Sequence, residues 1–128
     1  MNKAIGPSQR QLRAGELIRH ALADVFLRGE TGDPELETLG ASVVEVQISP
    51  DLKIATAYIR TLVAGKEQRL LEAANRNRKY IRGILAKTLD MRFTPEIRFR
   101  IDTALDYAGK IEEILRSPAV QRDLKQED

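Results

Sequence analysis

The stretch that decides the fold is Ser42-Val43-Val44-Glu45-Val46-Gln47-Ile48-Ser49-Pro50-Asp51-Leu52-Lys53-Ile54-Ala55-Thr56-Ala57-Tyr58-Ile59-Arg60-Thr61-Leu62. Its apolar residues recur at every second position. Val44, Val46 and Ile48 point one way and Glu45 and Gln47 the other, the pattern of a strand buried on one face. Ser49-Pro50-Asp51-Leu52 sets proline at the second position of a turn, where its fixed φ is wanted. From Lys53 to Leu62 the alternation resumes, with Ala55, Ala57 and Ile59 on the core face and Thr56, Tyr58 and Arg60 on the other. The two runs predict a hairpin.

Outward from the hairpin the period becomes helical. Ser8 followed three residues later by Gln11 is a capping box, and Ala14, Ile18, Ala21, Leu22 and Val25 then fall on one face of a helix over about residues 9–28. Gly29, Gly32, Asp33 and Pro34 stop it and lead into an acidic loop. Downstream, Lys66 to Leu89 carries Leu70, Leu71 and Ala74, then Ile81, Ile84, Leu85 and Leu89. The run Asn75-Arg76-Asn77-Arg78-Lys79 interrupts that stripe. Asparagine is a weak helix former that tolerates unusual backbone angles, so Asn75 and Asn77 mark a kink. Thr94-Pro95 opens a third strand in which Ile97, Phe99 and Ile101 alternate with Arg98 and Arg100, and proline is tolerated at a strand start.

Ile111, Ile114 and Leu115 then suggest a short closing helix ended by Ser117-Pro118, and Gln121 to Asp128 offers too little apolar surface to fold. The order predicts an α+β domain with helices on one face of a three-stranded sheet. Its expected organisation is a flexible N-terminus over residues 1–7, the domain over 8–116 and a disordered acidic tail over 117–128.

A chain of 128 residues is sized for one domain, and 42% hydrophobic residues are enough for a core. The absence of cysteine removes disulfides and thiolate zinc sites and fits a reducing compartment. No run approaches the roughly 18 apolar residues of a membrane span, and Met1 to Pro7 lacks the apolar centre of a signal peptide. The expected location is the cytoplasm. No tryptophan, three phenylalanines and three tyrosines argue against an aromatic platform for stacking single-stranded bases.

The net charge of +2 conceals strong segregation. Residues 1–28 hold five basic and two acidic groups, and residues 66–100 hold ten and four. Residues 29–65 hold two basic and six acidic groups, and residues 101–128 hold four and seven. Such a chain can present one positive face to a polyanion while staying nearly neutral overall. The expected nucleic-acid-binding set is Arg76, Arg78, Lys79, Arg82 and Lys87 at and after the kink, Arg98 and Arg100 on the last strand, and Arg10 and Arg13 on the first helix. Guanidinium forks suit phosphate oxygens, and a row of them releases counterions on binding. The competing reading is a solvated, charged surface, and for the first-helix stripe, which includes Arg19, ordinary pairing with Glu16 and its neighbours.

Other candidates are weaker. His20 lies away from Ile18 and Leu22 and has no Cys or second His to share a metal, nor a triad partner at recognisable spacing. Asp33, Glu35 and Glu37 lack the glycine and distal glutamate of a calcium loop. Gly29-Glu30-Thr31-Gly32 has the spacing of a phosphate-clamping loop, yet it follows the first helix and Glu30 would repel phosphate; helix termination explains it. No metal, cofactor or catalytic set is expected. A hydrolase or nuclease therefore ranks below a protein-interaction module on the open sheet face, for which Thr56 and Tyr58 speak, and below an RNA-binding protein.

Three stretches together carry a resemblance. They are Arg10-Gln11-Leu12-Arg13 through Glu16, Ile18-Arg19 and Ala21-Leu22; Ser49-Pro50-Asp51-Leu52 with Ala55 and Tyr58; and Thr94-Pro95-Glu96-Ile97 with Phe99. In this order, over about residues 8–115, the sequence resembles the bacterial ribosome-binding factor A family. The resemblance implies a type II KH-like fold, helix-strand-strand-helix-kink-helix-strand, in which the glycine-rich clamp is replaced by a kink that usually carries alanine. This sequence has Asn77 there, a larger polar residue that would cap one helix instead of packing tightly.

The resemblance further implies a monomeric, non-enzymatic assembly factor without cofactor or small-molecule substrate. Such a factor binds free 30S subunits and assists processing and late folding of 16S rRNA. The charge pattern adds an expectation of its own: folding gathers these cations into one wall that holds RNA backbone and reads bases little or not at all.

Overall fold

Ser8 closes the predicted capping box. Its hydroxyl accepts from the Gln11 N–H at 3.2 Å, and its own N–H donates to the Gln11 side chain at 2.9 Å. This cap opens α1, Gln9–Leu27, in a computed structural model that describes residues 6–103. Gln11 also donates through Nε2 to the Ile48 carbonyl at 2.8 Å, so the cap pins the helix to the end of a strand. The expected closing helix at Ile111, Ile114 and Leu115, the tail over 117–128 and most of the N-terminal segment lie outside the described residues.

The remaining elements are α2 (Pro34–Leu39), β1 (Ala41–Ile48), β2 (Ile54–Thr61), α3 (Glu67–Arg76), α4 (Arg78–Thr88) and β3 (Glu96–Ile101). β2 is central, antiparallel to β1 and parallel to β3. Its inward residues Ala55, Ala57 and Ile59 are fully buried. Each sits in a cross-strand row: Ile48, Ala55 and Ile97; Val46, Ala57 and Phe99; Val43, Ile59 and Ile101. Small residues in mid-sheet leave room for the helices that cover this one face. Against them pack Ile18 and Leu22 of α1, Leu70 of α3 and Ile81 and Leu85 of α4, all fully buried and each worth about 1.5–3 kcal/mol of burial. This is the type II KH-like arrangement.

Two local readings are corrected. Val44 does not share a face with Val46 and Ile48. The β1–β2 register shifts between Val43 and Glu45, and the bulge turns Val43 inward and leaves Val44 exposed. The acidic loop contains a short helix, α2. Asp33 caps it by accepting from the Glu35 N–H at 3.0 Å, Pro34 occupies its first turn, and Leu36 and Leu39 enter the core.

The hairpin turn is held by Ser49 and Asp51. The Ser49 hydroxyl donates to Asp51 Oδ1 at 2.7 Å and accepts from the Ile54 N–H at 2.9 Å, and the Lys53 N–H donates to the same Asp51 oxygen at 3.0 Å. Leu52 adopts a left-handed φ of 62° to complete this tight turn. At Gly15 the close approach lies elsewhere: a Cβ there would stand 2.6 Å from the Val46 carbonyl oxygen, so α1 lies directly on the backbone of β1.

Candidate nucleic-acid interface

The helix break falls on Asn77, with φ −101° and ψ 3°, between α3 and α4; Asn75 lies inside α3. Asn77 makes no side-chain bond to the amides of α4. Its Nδ2 donates to the Ala73 carbonyl and to Asp33 Oδ2, each at 2.8 Å, closing the end of α3 and tying it to the cap of α2. With these bonds and a guanidinium beside it, the Asp33 carboxyl is lowered to about 2: the Asn77 amide contributes most, then Arg76.

That geometry changes the charge at the kink. Arg76 contacts Asp33 at 2.9 Å and Glu35 at 3.2 Å, and Arg69 also pairs with Glu35. The acidic segment thus lies over part of the basic one. Arg69 and then Arg76 hold the Glu35 carboxyl below the usual range. Arg19 likewise pairs with Glu16 at 2.9 Å.

The other cations occupy two further regions. Arg98 and Arg100 project from the open face of the sheet, opposite the helices, and Arg98 pairs with Glu96 at 2.6 Å. The Glu96 carboxyl is lowered chiefly by Arg98, with a smaller contribution from the charges of Arg78 and Arg82 on α4, which packs against β3. Lys87 is exposed in the last turn of α4.

Arg10, Arg13, Lys79 and Arg82 belong to a third region. Arg10 and Arg13 line a cavity of about 470 Å³ between α1, the 51–53 turn and residues 91–93, together with Lys53 and Arg92. Lys79 and Arg82 line a shallower cavity of about 390 Å³ on α4. Arg92 and Phe93 form part of both, so the two cavities adjoin. The Arg82 guanidinium donates twice to the Thr94 carbonyl, at 3.1 and 2.7 Å, and stands 5.7 Å from the centre of the Phe93 ring.

Sequence periodicity missed Lys53, Arg92 and Phe93 because they come from loops; the signal available was the basic and aromatic Arg92-Phe93 pair directly before Thr94-Pro95. Among the described residues no group of His, Asp or Glu side chains is placed to hold a metal ion, and no helix is long and apolar enough to cross a membrane.

Fold and surface define a class: a small α+β domain with a broken helix pair and a cationic margin. Residues 10–115 match the family model for Ribosome-binding factor A. A relative of that name from Bradyrhizobium sp. (strain ORS 278) is 50% identical over 121 residues, covering 94% of this chain and 88% of its own. One from Methylobacterium nodulans is 48% identical, covering 95% and 90%. The crystal structure of ribosome-binding factor A from Thermus thermophilus superposes with a TM-score of 0.61 at 24% identity, covering 71% of this chain and 94% of that one. A homology model of the Thermus thermophilus factor, fitted into a cryo-EM map of a 30S complex, superposes with a TM-score of 0.56 at 24% identity, covering 70% and 91%. The chain belongs to the ribosome-binding factor A family.

Proposed function

We propose that this protein acts in the cytoplasm as a monomer that binds the free 30S subunit and assists late maturation and processing of 16S rRNA through non-covalent contacts. The observation that carries the reading is the run of Arg10, Arg13, Lys53, Arg92, Lys79 and Arg82 along two adjoining cavities. A Thermus thermophilus factor of the same family and fold has been fitted into a 30S complex, which supports the partner. Cations in such a run hold phosphates and carry little sequence information. Preferential binding to an immature RNA conformation would shift the folding equilibrium without any covalent step.

The alternative, a protein-docking module on the open sheet face, has less support. That face carries Glu45, Gln47, Tyr58, Arg98 and Arg100, and the Tyr58 hydroxyl is turned to Gln47 at 3.4 Å.

The test is the salt dependence of RNA binding. Replacing Arg13, Lys79 and Arg92 with alanine should reduce the log-log slope by about 2 on single-stranded RNA, near 0.7 per lost phosphate contact, while thermal stability stays close to wild type. An unchanged slope would remove this margin as the contact surface. Sedimentation of cell lysate should place the protein with free small subunits and not with translating ribosomes.

A further inference from the structure

Phe93 is 53% exposed, at the junction of the two cavities. Water-exposed phenylalanine rings are common, but this one is held. Arg82 lies against it, itself fixed by its two bonds to the Thr94 carbonyl. The larger cavity beside it is walled by Ala14, Leu17, Leu52 and Met91, and Leu17 is 47% exposed. Its volume is within the range of small-ligand sites. The single carboxylate in its lining, Asp51, already accepts from Ser49 and Lys53, and four cations share that lining. A flat apolar group attached to a phosphate matches both the apolar and the cationic part of the lining; a purely apolar or acidic segment matches only one of the two.

Resting on the RNA-binding reading above, we infer that this cavity takes one unpaired nucleobase, stacked on the free face of Phe93, with its flanking phosphates held by Arg10, Arg13 and Arg92. Such a site is compatible with a chain too poor in aromatics for a stacking platform. One fixed ring with a guanidinium beside it is enough for one base, and stacking is tolerant of base identity. It also gives the factor a preference for RNA with a splayed nucleotide over closed helix, because a paired base cannot enter.

The experiment compares two single-stranded RNA decamers, one carrying 2-aminopurine and one whose central nucleotides are abasic. For the 2-aminopurine strand, wild-type protein should raise the fluorescence as the base leaves its stacked neighbours, and Phe93→Ala should weaken binding about 5-fold or more. Phe93→Tyr should retain affinity, and Phe93→Leu should lose both the affinity and the fluorescence change. On the abasic strand all four proteins should bind alike, and none of the Phe93 variants should change the salt slope. Equal weakening of both strands by Phe93→Ala would overturn the inference by exposing a structural role for the ring. Tight binding indifferent to Phe93 would also overturn it and leave the cavity to a protein segment. Failure of the phosphate reading is separate: it appears as an unchanged salt slope in the Arg13, Lys79 and Arg92 variant.

Discussion

The Asn77 side-chain amide bridges Asp33 Oδ2 and the Ala73 carbonyl at 2.8 Å each, so the junction of α3 and α4 is fastened to the N-cap of α2. Asn77→Ala takes the side-chain donor from the Ala73 carbonyl and leaves Asp33 Oδ2 to Arg76 alone, and should destabilise the protein by about 1–2 kcal/mol in urea unfolding. Combined with Asp33→Ala, the two changes should cost less together than the sum of the single variants, with a coupling of at least about 0.5 kcal/mol. Strict additivity would mean the bridge contributes nothing.

A pH dependence follows from the same pair. The folded carboxyl of Asp33, at about 2, lies below its ordinary 3.8. Its contribution is therefore fully present above the unfolded value and is lost as pH falls from 3.8 toward 2. Between pH 5 and pH 2, wild-type protein should lose more melting temperature than Asp33→Asn, which has no proton to take up at this site. Parallel curves would show that Asp33 is not a source of the acid sensitivity.

Two glycines in helices should respond oppositely to alanine. At Gly15 the new Cβ meets the Val46 carbonyl oxygen at 2.6 Å, and neither backbone can yield cheaply. Gly15→Ala should cost about 1–3 kcal/mol despite its better helix propensity. At Gly83 a Cβ meets nothing within 4 Å, and Gly83→Ala should stabilise by about 0.5–1 kcal/mol. Thermal melts of the two variants decide the matter, and a gain at Gly15 would refute the close contact.

Cations read alike in sequence should also separate. Arg76 is held between Asp33 and Glu35, so Arg76→Gln should leave the salt slope of RNA binding unchanged. Lys79→Gln should reduce it by about 0.7 on single strands. A slope that falls equally in both would mean the carboxylates release Arg76 to RNA.

The sequence revealed what depends on periodicity. Ala55, Ala57 and Ile59 alternate cleanly and are buried as expected, and the Ser8 and Gln11 cap is a local pattern that folds locally. Val43-Val44 offered two neighbouring apolar residues, and alternation cannot say which turns inward when the ladder contains a bulge. The helix α2 was hidden because six residues make too short a period, although Asp33-Pro34 and the Leu36 and Leu39 spacing were its signs. Pairing of Arg69 and Arg76 with α2 spans more than thirty residues of chain, and charge counted by segment cannot anticipate it.

The bulge at Val44 has one further effect. Among the described residues β1 and β3 are the outer strands of the sheet, and a row of unpaired peptide groups on an outer strand invites a neighbouring molecule to add its own strand. The extra residue breaks the even spacing such an addition requires along β1. On the opposite margin, Glu96, Arg98 and Arg100 would have to give up water before another molecule could dock there. The sheet is defended against fibre-like growth at both borders, by shape on one and by hydration on the other.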